Sequence, residues 1–374
     1  MSATLKFGAG EWATKKGSTL AYNSENGNFK PLPFTFDRAG SATRVNKQGL
    51  IEVVSNNEPR IDFLNDSKGA LLLEPSRSNF IIYSQDFSNA VWNTGATRSV
   101  NFAPTSTIDP QGKTNAYRVT STASDNQVAV IGSIVSGQIY TNSIYVRRVS
   151  GNGNVALRNV NNEENIFEVS VNDGWKRIET SATSTSTFGR LYINLKTVGD
   201  VIEIWGGQLE QGSYATSYIP TQGSIGTRVA ESCSNGGNGQ VINSTEGVFY
   251  VEAAKTNESE VEGGIFLSRD RDNEIRMNFA TNNRLNVFVN VGGSYQVYMD
   301  NTNYNLEEYN KIAIKYKLND YSVFVNGNKI LTDTNATVPS GLNLVDFNQF
   351  YGNVKEIKLY NEALTDAELA ALTS

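Results

Sequence analysis

Short runs that alternate apolar and polar side chains, each ended by a turn containing Gly, Asn or Asp, recur along most of this chain and leave little room for helix. Lys311-Ile312-Ala313-Ile314-Lys315-Tyr316-Lys317 alternates strictly, which places its apolar side chains on one face of a strand. Asn326-Gly327 then predicts a tight hairpin folding Tyr321-Ser322-Val323-Phe324-Val325 onto Lys329-Ile330. Similar strand signals fall at 116–119, 127–134, 139–149, 166–171, 175–180, 189–195 and 201–205, and again at 247–253, 264–268, 274–279, 284–290, 295–299, 310–317 and 320–325. Asn makes up about 12% of the chain, and Gly, Ser and Thr are abundant, as a protein of many short strands and turns requires. The predicted class is all-β. The one helix signal is terminal: Thr365-Asp366-Ala367-Glu368 has the spacing of a capping box and precedes Leu369-Ala370-Ala371-Leu372.

With 374 residues the chain can bury more than one core. Residues 1–80 are the least periodic; Lys30-Pro31-Leu32-Pro33 and Glu58-Pro59-Arg60 interrupt any long element there. Such a stretch needs the next domain, another chain or a larger particle to order it. Residues 81–231 carry regularly spaced strands and predict an antiparallel sandwich or jelly roll. The polar, Gly-rich stretch 232–239 is the expected linker, and 240–374 a second β-sandwich.

The chain has no histidine and one cysteine, Cys233. That excludes Ser-His-Asp and Cys-His nucleophilic systems, His-containing and Cys-rich zinc sites and an intramolecular disulfide. Net charge is −6, and residues 240–374 hold 18 acids against 11 bases, so the acidic surface belongs to the last domain. Clustered Lys and Arg are missing, and no nucleic-acid partner is expected. No apolar run approaches a membrane span, and Met1-Ser2-Ala3-Thr4-Leu5-Lys6 lacks the apolar core of a signal peptide, so no membrane partner is expected and synthesis in a cytosol is.

Three segments carry a resemblance. Phe34-Thr35-Phe36-Asp37-Arg38-Ala39-Gly40-Ser41-Ala42-Thr43-Arg44-Val45-Asn46, Gly49-Leu50-Ile51-Glu52, Pro59-Arg60-Ile61-Asp62-Phe63 and Leu71-Leu72-Leu73-Glu74-Pro75-Ser76-Arg77-Ser78-Asn79 resemble the N-terminal region of bacteriophage head-fibre or decoration proteins and related tail proteins. Tyr83-Ser84-Gln85-Asp86-Phe87 through Trp92, with Ile204-Trp205-Gly206-Gly207-Gln208-Leu209-Glu210-Gln211-Gly212 and Ser217-Tyr218-Ile219-Pro220-Thr221, is similar to the start and end of the carbohydrate-binding-module-like jelly roll of those proteins. Val323-Phe324-Val325-Asn326-Gly327 and the stretch from Gly352-Asn353-Val354 to Ala363-Leu364-Thr365 are similar to the closing strands of laminin-G-like, concanavalin-A-like domains. The resemblance implies a structural protein of the virion surface, made in the host bacterial cytoplasm. Its N-terminal region would attach to capsid or tail proteins and form a homotrimer, and its sandwiches would project and bind host-surface polysaccharide weakly. A tail-associated receptor-binding protein is the alternative, and a glycan-degrading enzyme a third reading.

Candidate sites are few. Tyr295, Tyr298, Asn301, Asn303 and Tyr304 follow the Gly292-Gly293 turn as a polar-aromatic cluster suited to glycan binding, or are a plain solvated loop. Asp270, Asp272 and Glu274 put carboxylates at alternate positions; calcium is the one cofactor this pattern admits, while the full EF-hand pattern is absent and a polar hairpin turn explains the same residues. Trp92, Trp175 and Trp205 with Tyr145 and Tyr192 form either a sugar-stacking platform or core. The acid pairs Glu163-Glu164, Glu258 with Glu260, and Glu307-Glu308 read as solvated faces, so no catalytic residue is expected and the protein reads as a non-enzyme. Cys233, with no basic residue closer than Arg228, reads as an inert thiol.

Overall fold

A computed structural model describes residues 2–20, 33–92, 100–123, 126–256 and 263–374. Strands dominate, and among these residues one α-helix, Asp366–Thr373, closes the chain behind the expected capping box. The Glu368 amide donates to Thr365 Oγ1 (3.3 Å), and Glu368 Oε2 accepts from the Thr365 amide (2.8 Å). The chain divides into two compact units, one of Met1–Ser41, Val54–Pro75 and Ala230–Ser374, the other of Ala42–Val53 and Ser76–Val229.

The first unit is a sandwich of two antiparallel sheets. The larger runs in the order Asn328–Asp333, Tyr321–Val325, Asn310–Lys317, Glu246–Lys255, Gly352–Tyr360, Ala70–Leu73, Ile61–Asp62, with Leu5–Gly8 also pairing Gly352–Tyr360. The smaller runs Ser294–Asn301, Leu285–Val291, Asn273–Phe279, Gly263–Asp270, Leu344–Asn348. Inward side chains of both, among them Phe249, Val251, Ile312 and Ile314 facing Ile265, Ile275, Met277, Val287 and Val289, form one core. The outer side of the larger sheet is apolar too: Val248, Tyr250, Ala313 and Phe324 are covered by Leu364 and Leu369 at the C-terminal helix. Burial on both sides explains why Tyr321–Val325 is buried at every position. Asn326 (φ 48°) and Gly327 (φ 81°) take the left-handed conformation that a two-residue hairpin needs.

Two findings differ from the expected domain limits. Residues 1–80 are not a separate region: Leu5, Phe7, Phe34, Phe36, Leu71 and Leu73 belong to the core of the first unit, while 42–53 and 76–80 belong to the second. Packing against the C-terminal sandwich supplies the order that periodicity could not. Nor is 232–239 a linker. Ser232–Ser234 pairs with Pro33–Asp37, and Cys233 is fully buried, its thiol pKa pushed up by burial and by Asp346 and Glu231. Gly236 exchanges backbone hydrogen bonds with Val345, and a Cβ there would sit 2.1 Å from the Phe34 ring. Its glycine serves close packing, and the thiol is enclosed.

A buried ion cluster ties these segments together. Glu231 Oε1 accepts from Arg38 Nη1 and Arg60 Nε (2.7 Å each), its Oε2 from Arg60 Nη2 and the Glu74 amide, and Arg60 Nη1 meets Glu74 Oε2 at 2.7 Å. Burial acts to lower the Arg60 pKa, but the Glu231 and Glu74 charges outweigh it and raise it.

The second unit is also a sandwich. Its five-stranded sheet runs Val100–Pro104, Tyr117–Ser121, Val201–Gln211, Ile139–Ser150, Lys176–Thr183, and its four-stranded sheet Asn126–Ser133, Phe188–Leu195, Val155–Arg158, Glu164–Phe167. Ile144, Val146, Ile178, Ile202 and Ile204 meet Val155, Leu157, Leu191, Ile193 and Leu195 in its core. Ile144 and Val146 share the inward face and Tyr145 lies opposite, as the alternation predicts.

Candidate functional site

In the first unit the helix covers one outer surface, and among the described residues no helix covers the outer face of the five-stranded sheet, where Tyr295 and Tyr298 are exposed and Phe266, Glu274, Asn278 and Asn286 are buried. Strict alternation fills that face with polar and aromatic side chains. In Asn273–Phe279, Ile275 and Met277 point into the core, so Glu274, Arg276 and Asn278 point out. In Leu285–Val291, Val287 and Val289 point in, leaving Asn286, Phe288 and Asn290 outside.

The register aligns these residues in rows across the sheet. One row runs Tyr298, Phe288, Arg276, Phe266, Asp346. On one side of it lie Asp300, Asn286, Asn278 and Gly264, and on the other Tyr295, Asn290, Glu274 and Ser268. Tyr298 and Tyr295 flank the Phe288 ring, with centroids at 5.2 and 5.7 Å, and are 56% and 68% exposed. Arg276 Cζ lies 4.1 Å from the centroid of Phe266. Phe266 can lie down beside it because its neighbour in the sheet is Gly264, where a Cβ would come within 2.4 Å of the ring.

Polar groups surround the aromatics. Tyr298 Oη donates to Asp300 Oδ2 (3.2 Å), and Asn290 Nδ2 to Glu274 Oε1 (3.1 Å), which also pairs with Arg276 (3.4 Å). Burial raises the Glu274 pKa against the opposing pull of Arg276 and Asn290, and burial also raises that of Asp346. Arg276 Nε is shielded from solvent and has no acceptor among the described residues.

The structure brings Tyr295 and Tyr298 together on this face but not the rest of their cluster. Asn301 pairs with Leu285, a core position, and so lies on the other side of the strand. Its Oδ1 accepts from the Asn303 amide in the following turn, and Tyr304 packs against the core, where burial raises its pKa. The residues that sequence reasoning passed over here are Phe266, Arg276, Phe288, Asp300 and Asp346. The signal for Arg276 and Phe288 was present, because they alternate with core residues inside recognised strands.

Asp270, Asp272 and Glu274 do not converge. Asp270 binds Arg269 and the amides of Asp272 and Asn273, and Arg269 chiefly holds its carboxyl below the usual range, whereas Glu274 lies in the sheet face. No group of three acidic or thiol side chains able to hold a metal ion occurs among the described residues. Of the aromatic set, Trp175, Trp205 and Tyr145 meet in a small apolar cluster with Ile51 and Tyr218, as the core alternative has it, whereas Trp92 and Tyr192 lie elsewhere. Trp92 stacks on Phe87 and Trp205 lies between Tyr145 and Tyr218, both indoles fully buried; Trp175 is half-buried, and Tyr192 lies on the four-stranded sheet beside Arg158. Glu163 binds Asn159, Glu164 binds Arg158 and Lys196, Glu307 and Glu308 are exposed, and Glu258 and Glu260 lie outside the described residues.

Residues 249–370 match the family described as the concanavalin A-like lectin/glucanases superfamily. This segment spans most of the sandwich that carries the open face. No curated protein matches the chain. Among solved structures, the chain is similar to domain 4 of a Geobacillus stearothermophilus arabinanase in complex with arabinotriose, at 13% identity over 43% of this chain and 83% of that one (TM-score 0.32). It is also similar to a Caenorhabditis elegans galectin at 15% identity (32% and 86% covered, TM-score 0.26) and to the LG4-5 domains of mouse laminin alpha1 at 9% identity (79% and 95%, TM-score 0.26).

Proposed function

We propose that the protein binds glycans, through the open face of the five-stranded sheet in its first unit. The observation that carries this is the row Tyr298, Phe288, Arg276, Phe266 with Tyr295 beside it. The exposed rings of Tyr295 and Tyr298, with the part-buried Phe288 between them, offer flat apolar surfaces to the C–H face of a pyranose, while Asp300, Asn290 and Arg276 offer acceptors and donors to its hydroxyls; Phe266 and Glu274 are buried beneath them. The lectin-like family match over 249–370 supports the same reading. Arg276 and Arg284, which pairs with Asp300 at 3.8 Å, face Glu274, Asp300 and Asp346, a nearly balanced set that favours neutral sugars.

The finer reading is a structural protein of a phage virion surface, a head fibre or capsid decoration, whose weak glycan sites act by avidity. Its support is the resemblance of residues 34–79, 83–92 and 204–221. A homotrimer and attachment to capsid or tail proteins belong to that reading, as does the absence of a catalytic function.

The test is a glycan array with the wild-type protein, repeated with Tyr298→Ala and Arg276→Ala. Each variant should bind a neutral hit at least about tenfold more weakly with an unchanged melting temperature. Equal binding by folded variants overturns the assignment of the face.

A further inference from the structure

The second unit holds a different arrangement, on the outer face of its own five-stranded sheet. Arg118, Glu203 and Arg147 lie side by side on three neighbouring strands. The Glu203 side chain is fully buried, while those of Arg118 and Arg147 are 45% and 37% exposed. Four donors converge on the carboxylate: Arg118 Nη2 (2.8 Å), Thr107 Oγ1 (2.8 Å) and Thr105 Oγ1 (3.1 Å) on Oε1, and Arg147 Nη1 (2.7 Å) on Oε2. Burial acts to raise the Glu203 pKa, but the bonds from Arg118, the two threonines and Arg147 outweigh it and hold the group below the ordinary range. Glu203 is therefore an anion at neutral pH, and the row carries one excess positive charge.

Each arginine spends one nitrogen on Glu203, and a guanidinium has five N–H donors in a rigid fork. The remaining donors stand on either side of a carboxylate that is already saturated. An aromatic surface adjoins them: Thr107 binds Glu203, and the next carbonyl, Ile108, accepts from Trp175 Nε1 at 2.8 Å. Trp175 directly precedes Lys176, which pairs with Val146, the neighbour of Arg147 in its strand. Trp175 packs on one side against the cluster of Ile51, Trp205 and Tyr218 and stays half-buried, unlike Trp92 and Trp205.

The geometry points to a second saccharide site in this unit, selective for carboxylated sugars of the uronic acid class. The sugar ring lies against Trp175, and its carboxylate bridges the free edges of Arg118 and Arg147. Forked, charge-assisted hydrogen bonds to a planar carboxylate suit two arginines better than lysines, and an aromatic face suits the ring. The inference stands on observations independent of the first face and differs from it in charge preference.

The experiment is titration calorimetry of the full chain with tetragalacturonate and with its fully methyl-esterified form, at low and high salt. Wild type should bind the acid, bind the ester at least about tenfold more weakly, and lose affinity as salt rises. Arg118→Gln, Arg147→Gln and Trp175→Ala should each weaken binding about tenfold or more. Arg147→Lys keeps the charge beside Glu203, and so guards against misfolding, but loses the fork and should also bind more weakly. Hydrogen-exchange protection by the bound acid should fall on Tyr117–Ser121 and Val201–Gln211. No binding at millimolar ligand, equal binding of acid and ester, unaltered affinity in folded variants, or protection confined to Ser294–Asn301 would each overturn the proposal.

Discussion

Both units clasp a glutamate between two arginines, and they do so to opposite effect. In the first unit Glu231, Arg38 and Arg60 are all fully enclosed, and the remaining arginine donors go to Glu74 and to the backbone carbonyls of Gly40, Ser55 and Glu58. In the second unit Glu203 is enclosed but its arginines reach solvent. An enclosed cluster that solvent does not reach holds segments together, whereas a carboxylate held beneath half-exposed guanidiniums leaves charge and donors for something else. The same two residue types thus make a structural tie in one unit and a candidate recognition surface in the other.

The sharpest way to break that comparison is Glu231→Ala. It leaves Arg38 without its counter-ion and Arg60 with Glu74 alone inside the first unit, and breaking a buried pair from one side costs about 3–5 kcal/mol. Denaturant unfolding should show this loss in the first unit, with the second unfolding as before. A loss under about 1 kcal/mol would mean that water reaches the cluster and that it is not a structural tie.

That cluster also shows where the sequence could and could not be read. Local chemistry was legible: the capping box at Thr365 and Glu368, the hairpin at Asn326-Gly327, and the alternation that aims Ile144 and Val146 inward all depend on neighbours a few residues apart. Arg38, Arg60 and Glu74 sit inside the segments that carried the resemblance to phage head-fibre proteins, yet their partner Glu231 lies 193 residues beyond Arg38. Nothing local distinguishes such a charge from a solvated one. Gly236 misled for a similar reason. A glycine in a polar run signals freedom, but the Phe34 ring that requires it comes from the other end of the chain.

The candidate face was half legible. Tyr295, Tyr298, Asn301, Asn303 and Tyr304 all follow the Gly292-Gly293 turn and are all of residue types suited to recognition, and nothing in that local pattern separates the two tyrosines from the rest. Strand alternation sends Asn301 to the opposite side, and the real neighbours, Phe288, Arg276 and Phe266, come from three other strands through the register. Membership of a sheet face depends on pairing between strands, which spacing within one strand does not encode.

A milder intervention sharpens the contrast. Glu203→Gln removes the charge but keeps the shape and an acceptor, and the half-exposed arginines can be solvated, so the second unit should lose only about 1 kcal/mol. The cost should shrink as salt is raised, because solvent screens Arg118 and Arg147, whereas salt should hardly alter the cost of Glu231→Ala. Equal costs and equal salt responses would erase the distinction between the two clusters.

The smallest effect is a pH dependence, and its sign follows from Glu203 being held below the usual range in the folded unit. An unfolded glutamate titrates near about 4.3. Above that pH both states carry the charge and the stabilisation from the arginines and threonines is complete. As pH falls through the lower folded value the folded state too takes up the proton, and the contribution disappears. The stability difference between wild type and Glu203→Gln should therefore be constant from neutral pH down to about pH 5 and narrow below it. Glu210 in the same unit works the other way. It is enclosed, and burial raises its pKa in spite of Arg177 and its bonds from Thr216 and Gln208, so its contribution grows less favourable as pH rises. Unfolding midpoints of the two proteins measured side by side between pH 3 and 7 cancel Glu210 and isolate Glu203. A difference that widens toward acid would mean that the Glu203 carboxylate is not held by its arginines, and the surface they form would lose its basis.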